Sequence, residues 1–120
     1  MNNDIYREFI LDLYRNPHNK KTLEVFDVEL RGHNPGCGDE YSIRIKLTGD
    51  TIADIGYTGD GCAISHAALS LVTDEVCGKT KADIAVLTRE RMLALLDIPI
   101  DYTREKCAML GLDTIQKALL

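Results

Sequence analysis

The run Asn34-Pro35-Gly36-Cys37-Gly38-Asp39 sets a cysteine and a carboxylate two residues apart on a stretch rich in glycine and proline. A thiolate and a carboxylate held in such a bend can act as a metal ligand pair or as an activated sulfur. Two more cysteines fall at the edges of predicted elements. Cys62 follows Gly59-Asp60-Gly61 and opens a predicted helix, where unpaired backbone N–H groups and the helix dipole favour a thiolate. Cys107 lies in the first turns of a predicted last helix, close to Arg104 and Lys106, whose positive charges act in the same direction. The fourth, Cys77, ends a helix just before Gly78 and reads as structural.

Cys37, Cys62, Cys107 and Asp39 together form a Cys₃Asp set. Tetrahedral zinc accepts such donors, and so does an iron–sulfur cluster, although a carboxylate is a harder and weaker partner for cluster iron than a thiolate. A cluster with one such ligand is held less tightly, which suits delivery better than electron transfer. The plain alternative is that Cys62 and Cys107 are small core residues; Cys107 shares helical spacing with Leu110, Ile115 and Ala118. No ferredoxin or zinc-finger spacing is present. His66, four residues after Cys62, shares its helix face and reads as a residue at the rim of the core or as a further ligand. His33 reads as a turn residue and His18 as a solvated loop residue. No serine–histidine–carboxylate set and no glycine-rich phosphate loop supports a hydrolase or a nucleotide site.

These side chains need a frame. Residues 4–16 carry Ile5, Phe9 and Leu13 at helical spacing, with Asp4 placed to cap and Asn16-Pro17 to stop. Strand patterns follow over 24–30, 41–48 and 51–58. In the third, Ala53, Ile55 and Tyr57 are predicted on one face. Gly49-Asp50 is a tight-turn signal between the last two strands. The alternation leaves one face apolar and one charged, so the sheet is antiparallel, with Arg44 and Lys46 facing the acidic side of the first strand. Helices are predicted from Cys62 to the Gly78 stop, over 81–86, over 88–96 with Thr88 as cap, and from about 102 to 119 with Asp101 as cap. The fold class is α+β: a small three-stranded antiparallel sheet with helices packed on one face.

The 120 residues suffice for one core, so 1–120 is read as a single domain. Net charge is −5 with no basic cluster, which argues against a nucleic-acid partner. The amino terminus lacks the pattern of a secretory signal, and no apolar run reaches membrane-spanning length. A cytoplasmic, reducing compartment is expected, where cysteines serve metal or sulfur chemistry before disulfides.

The order of motifs resembles the U-type iron–sulfur cluster assembly scaffolds, the IscU, SufU and NifU amino-terminal family. The resemblance runs through Tyr14-Arg15-Asn16-Pro17-His18-Asn19, Asn34-Pro35-Gly36-Cys37-Gly38-Asp39, Gly59-Asp60-Gly61-Cys62-Ala63-Ile64-Ser65, Gly78-Lys79 and Lys106-Cys107-Ala108-Met109-Leu110. It implies that Cys37, Cys62 and Cys107 hold a cluster or metal, with Asp39 as the carboxylate linked to lability. It also implies a cysteine desulfurase as sulfur donor, Cys107 as the persulfide acceptor, and recipient apo-proteins for a labile [2Fe–2S] cluster. A cluster bridging two subunits would make the chain a homodimer around its cargo. The alternatives are a SufU-like sulfurtransferase with Zn²⁺ on the same residues, and an inert zinc-structured binding module. Lys106 stands where IscU-type chains carry histidine, as in SufU-type chains. The stretch between Gly78 and Cys107 is too short for the SufU-type insertion. The chain lacks the Leu-Pro-Pro-Val-Lys chaperone-docking motif of the family, and Ile98-Pro99-Ile100-Asp101 occupies that region.

Overall fold

The computed structural model describes the backbone of residues 3–36 and 38–120, and side chains from residue 8 onward apart from residue 37. Helix α1 (Asn3–Arg15) is followed by strands β1 (Val28–Asn34), β2 (Asp39–Thr48) and β3 (Thr51–Asp60), and then by helices α2 (Ala63–Val76), α3 (Lys81–Ala85), α4 (Arg89–Leu96) and α5 (Tyr102–Ala118). The strands form an antiparallel sheet in the order β1-β2-β3. This is the α+β arrangement expected from the alternating strands.

The β2 pattern explains the sheet's two faces. Tyr41, Ile43 and Ile45 are buried, with Ile52, Ile55 and Tyr57 of β3 beside them. Against this face pack Ala67, Ala68, Leu69, Val72 and Val76 of α2 and Ala108, Leu112 and Ile115 of α5. The small residues allow close approach: a Cβ on Gly111 of α5 would lie 2.7 Å from Leu69 Cδ2 of α2. On the opposite face Arg44 pairs with Glu29 and covers the Phe26 ring at 4.3 Å, and Lys46 lies 3.2 Å from Asp27.

Three local readings change. The first strand starts at Val28, and His33 is an exposed strand residue, because the ladder carries on to the pair Asn34↔Asp39. The cysteine loop is therefore the tip of the β1–β2 hairpin. In β3 the register shifts where Lys46 faces Asp54 and Leu47 faces Ile52. The extra residue, Ala53, is exposed while Ile52 is buried, so a bulge breaks the strict alternation. Helix α1 begins at Asn3, which puts Asp4 inside its first turn.

The helix ends follow their sequence signals. Thr88 accepts from the Arg91 N–H and Asp101 from the Arg104 N–H; Gly78 takes φ +86° just after α2. The turn after α1 is fastened to α2, with His18 Nδ1 2.6 Å from Asp74 and Asn19 Nδ2 donating to Thr73 and Asp74. His18 is thus the solvated loop residue expected, and it also tethers the turn to α2. Among the described residues no helix is long and apolar enough to cross a membrane.

Candidate metal centre

Three chain segments meet at one end of the sheet. Asp39 opens β2, Cys62 is the N-cap of α2, and Cys107 sits on the buried face of α5. One donor atom from each lies within 4.8 Å of the other two. Bonds of about 2.3 Å at a tetrahedral angle separate donors by roughly 3.7 Å, so this triad would need to contract by only about 1 Å around a zinc-sized ion. Cys37 falls outside the described residues; Gly36 and Gly38 flank it at the hairpin tip, and Gly38 has φ +70°.

Asp39 is fully buried, at 0% exposure. Its Oδ1 accepts the Cys62 N–H at 2.8 Å, which supplies one of the unpaired donors at the start of α2. Its Oδ2 lies 4.0 Å from Cys62 Sγ. One oxygen therefore holds the loop while the other faces the sulfur. Cys62 makes no side-chain cap, and its Sγ also lies 3.7 Å from Ser65 Oγ.

A hydroxyl chain stands behind the sulfur. Ser65 Oγ donates to the Cys62 carbonyl at 2.9 Å, which uses its single proton. Tyr41 OH, 2.7 Å from the same oxygen, must then be the donor in that contact. Burial pushes the Tyr41 phenol well above its ordinary value, against the opposing effect of Ser65, so it stays protonated. Gly61 makes this assembly possible. A Cβ there would lie 2.5 Å from Asp39 Oδ1, 2.6 Å from Tyr41 OH and 2.7 Å from Ser65 Oγ.

His66 is only 2% exposed and sits edge-on to the Tyr14 and Tyr41 rings, with Nε2 3.1 Å from Asp60 Oδ1. That oxygen also accepts the Gly61 N–H at 2.9 Å, and the two contacts hold the Asp60 carboxyl below its ordinary value. His66 thus lies inside the core and is absent from the donor triad, where it helps fix the β3–α2 turn. Tyr41, Gly61 and Ser65 have no role at the site in the sequence reading, although Gly61 and Ser65 fall within the motif around Cys62. Their signals were present: Tyr41 is two residues from Asp39 on one strand face, and Ser65 is one helical turn from Cys62.

The thiols differ in access. Cys77 is exposed, Cys62 is half-buried and Cys107 is 1% exposed. With iodoacetamide on the metal-free folded chain, of these three Cys77 should be alkylated first, Cys62 next and Cys107 last, Cys107 at least about tenfold more slowly than Cys77. Peptide mass spectrometry over a time course reads this order, and early labelling of Cys107 would contradict its buried position.

The chain matches the family described as NifU-like N terminal domain over residues 5–120. It is 40% identical over 75 residues to the zinc-dependent sulfurtransferase SufU of Bacillus subtilis, a match covering 62% of this chain and 50% of that protein. It is also 40% identical over 97 residues to the iron–sulfur cluster assembly scaffold protein IscU of Streptococcus pyogenes, covering 80% and 55% respectively. These matches thus span about half the length of each relative. Among solved structures, a candidate iron–sulfur cluster assembly scaffold for the SUF system from Fervidobacterium islandicum superposes with a TM-score of 0.83 at 29% identity, covering 94% of this chain and 95% of that one. With a family match across nearly its whole length and the fold of a solved relative, the chain belongs to the NifU-like N-terminal domain family.

Proposed function

We propose that this chain is a carrier on which an iron–sulfur cluster is assembled, held and passed to apo-proteins. Iron and sulfide are its cargo, with Cys37, Cys62, Cys107 and Asp39 as ligands and 1–120 acting as one domain. The observation that carries this is the convergence of Asp39, Cys62 and Cys107 from three separate elements. A structural role alone would not require two sulfurs and a buried carboxylate at one point. The IscU relative lends independent support.

Sulfur enters from a cysteine desulfurase as a persulfide. The Cys107 thiolate attacks the terminal sulfur, a new S–S bond forms, and the bond to the desulfurase cysteine breaks to release that cysteine as a thiolate. No net oxidation accompanies the transfer. Because Cys107 is 1% exposed, the donor must open the site before the sulfur can pass. A cluster bridging two copies would draw further thiolates from the second copy.

A second reading has a specific basis. The SufU relative is named a zinc-dependent sulfurtransferase, and the same sulfur and oxygen donors suit Zn²⁺. There the ion would hold the thiolates until one leaves to accept sulfur.

Anaerobic purification, with metal and acid-labile sulfide measured before and after reconstitution with iron and sulfide, separates the readings. The carrier should gain iron and sulfide together. Zinc without sulfide, even after reconstitution, would sink the scaffold reading. Incubation with a desulfurase and cysteine should place persulfide on Cys107, and a Cys107→Ser chain accepting sulfur at the wild-type rate would refute that choice of acceptor.

A further inference from the structure

The two edges of the sheet are treated differently. The β3 edge is covered: Lys20 bridges to Tyr57, Thr51 bridges to Thr80, and Ile52 exchanges backbone hydrogen bonds with the 78–79 stretch. Among the described residues β1 pairs with β2 alone. An open strand edge presents unpaired N–H and C=O groups to any extended chain that can reach them.

Along this edge runs a groove of ≈ 680 Å³. Every residue from 30 to 34 lines it. Successive strand side chains point to opposite faces, so five consecutive lining residues place the groove beside the strand edge and not over one face. Its other wall is a stripe of α5, stepping three and one from Tyr102 to Lys117, with Arg89 of α4 beside it. The five-residue wall is about 16 Å long, enough for a short added strand.

Charge selects the occupant. Arg31, Arg89, Lys106 and Lys117 line the groove against Glu105 and Asp113, an excess of cations in a chain of net charge −5. Arg31 is paired with Glu40 and Arg89 with Glu105, while Lys106 and Lys117 are in no salt bridge among the described residues, Lys117 being attracted only to Asp113 one helical turn earlier. A second copy fits poorly, because centred antiparallel self-pairing of β1 would set Arg31 against its own counterpart. We propose that this groove takes an extended acidic segment of a partner protein, added to β1 as a fourth strand with its carboxylates toward the α5 lysines.

The groove has a direction. Its strand wall ends at Asn34, which pairs with Asp39, and Lys106 immediately precedes Cys107. A docked segment would bring its protein to the Asp39–Cys62–Cys107 cluster. The surface exists whether or not that cluster carries iron and sulfide, so the proposal and the carrier reading can fail separately.

Fluorescein-labelled Val-Glu-Val-Glu-Val-Glu, titrated by anisotropy against the full chain, tests it. The peptide should bind and should slow amide exchange in β1. Lys106→Glu with Lys117→Glu, checked for an intact fold by circular dichroism, should weaken binding about tenfold, the sum of two rim charge pairs. Methylating alternate peptide nitrogens should weaken it by about tenfold or more, through lost backbone pairing. No binding, equal binding of Val-Lys-Val-Lys-Val-Lys, or indifference to either change would overturn the proposal. Concentration-dependent dimers that protect the β1 amides without peptide would overturn it in favour of a second copy.

Discussion

Replacing Gly61 with alanine should lower affinity for Zn²⁺ or Co²⁺ at the triad by about 10- to 100-fold, the range seen when the groups behind metal ligands are disturbed. The added methyl would meet Asp39 Oδ1 at 2.5 Å, Tyr41 OH at 2.6 Å and Ser65 Oγ at 2.7 Å. All three atoms belong to side chains, but none is free to swing away. Asp39 is held by the Cys62 N–H, and Tyr41 and Ser65 hold each other. The strain must move either the carboxylate or the turn that carries Cys62, and each is part of the proposed site. Overpacking of this kind costs about 1–3 kcal/mol, so the melting temperature should fall as well. Titrating Co²⁺ and following the sulfur-to-metal absorption distinguishes a displaced site from mere loss of stability, provided it is done well below the melting transition. Unchanged affinity would show that the triad does not depend on this packing.

Much of this arrangement was legible in the chain. The alternation of Tyr41, Ile43 and Ile45 fixes which face of β2 is buried, and the caps at Thr88 and Asp101 mark where α4 and α5 begin. The glycine signals work for the same reason: Gly49 and Gly78 adopt positive φ where the chain turns. What was hidden depends on register. His33 and Asn34 have the composition of a turn, yet they pair with Glu40 and Asp39 because the hairpin ladder continues past the end of the apolar pattern. Ala53 is displaced by a bulge that a strict period of two cannot express. At the site, the cysteines and Asp39 stand out by type. Tyr41, Ser65 and Gly61 do not, since each is ordinary until folding brings it against the carboxylate.

Asp39, the proposed carboxylate ligand, is the residue whose loss should strengthen retention. Changing Asp39 to alanine is expected to slow cluster transfer to an apo-ferredoxin by about tenfold, equivalent to ~1.4 kcal/mol in the barrier. A [2Fe–2S]²⁺ core bears two positive charges, and in the proposed site a buried carboxylate added to the thiolates would leave excess negative charge. Removing that carboxylate would reduce the excess and take away the proposed oxygen ligand, the one a recipient thiolate would displace first. The substitution also strips the Cys62 N–H of its acceptor, at a cost of about 1–3 kcal/mol in the metal-free fold. Asp39→Asn separates the two effects. Its carbonyl can still accept from Cys62 while the charge is gone, so it should retain more stability than alanine and still release the cluster slowly. Circular dichroism in the visible range follows transfer, and thermal unfolding of the apo chain follows stability. If both variants deliver at the wild-type rate, Asp39 serves only to hold the start of α2, and lability must arise from the thiolates themselves.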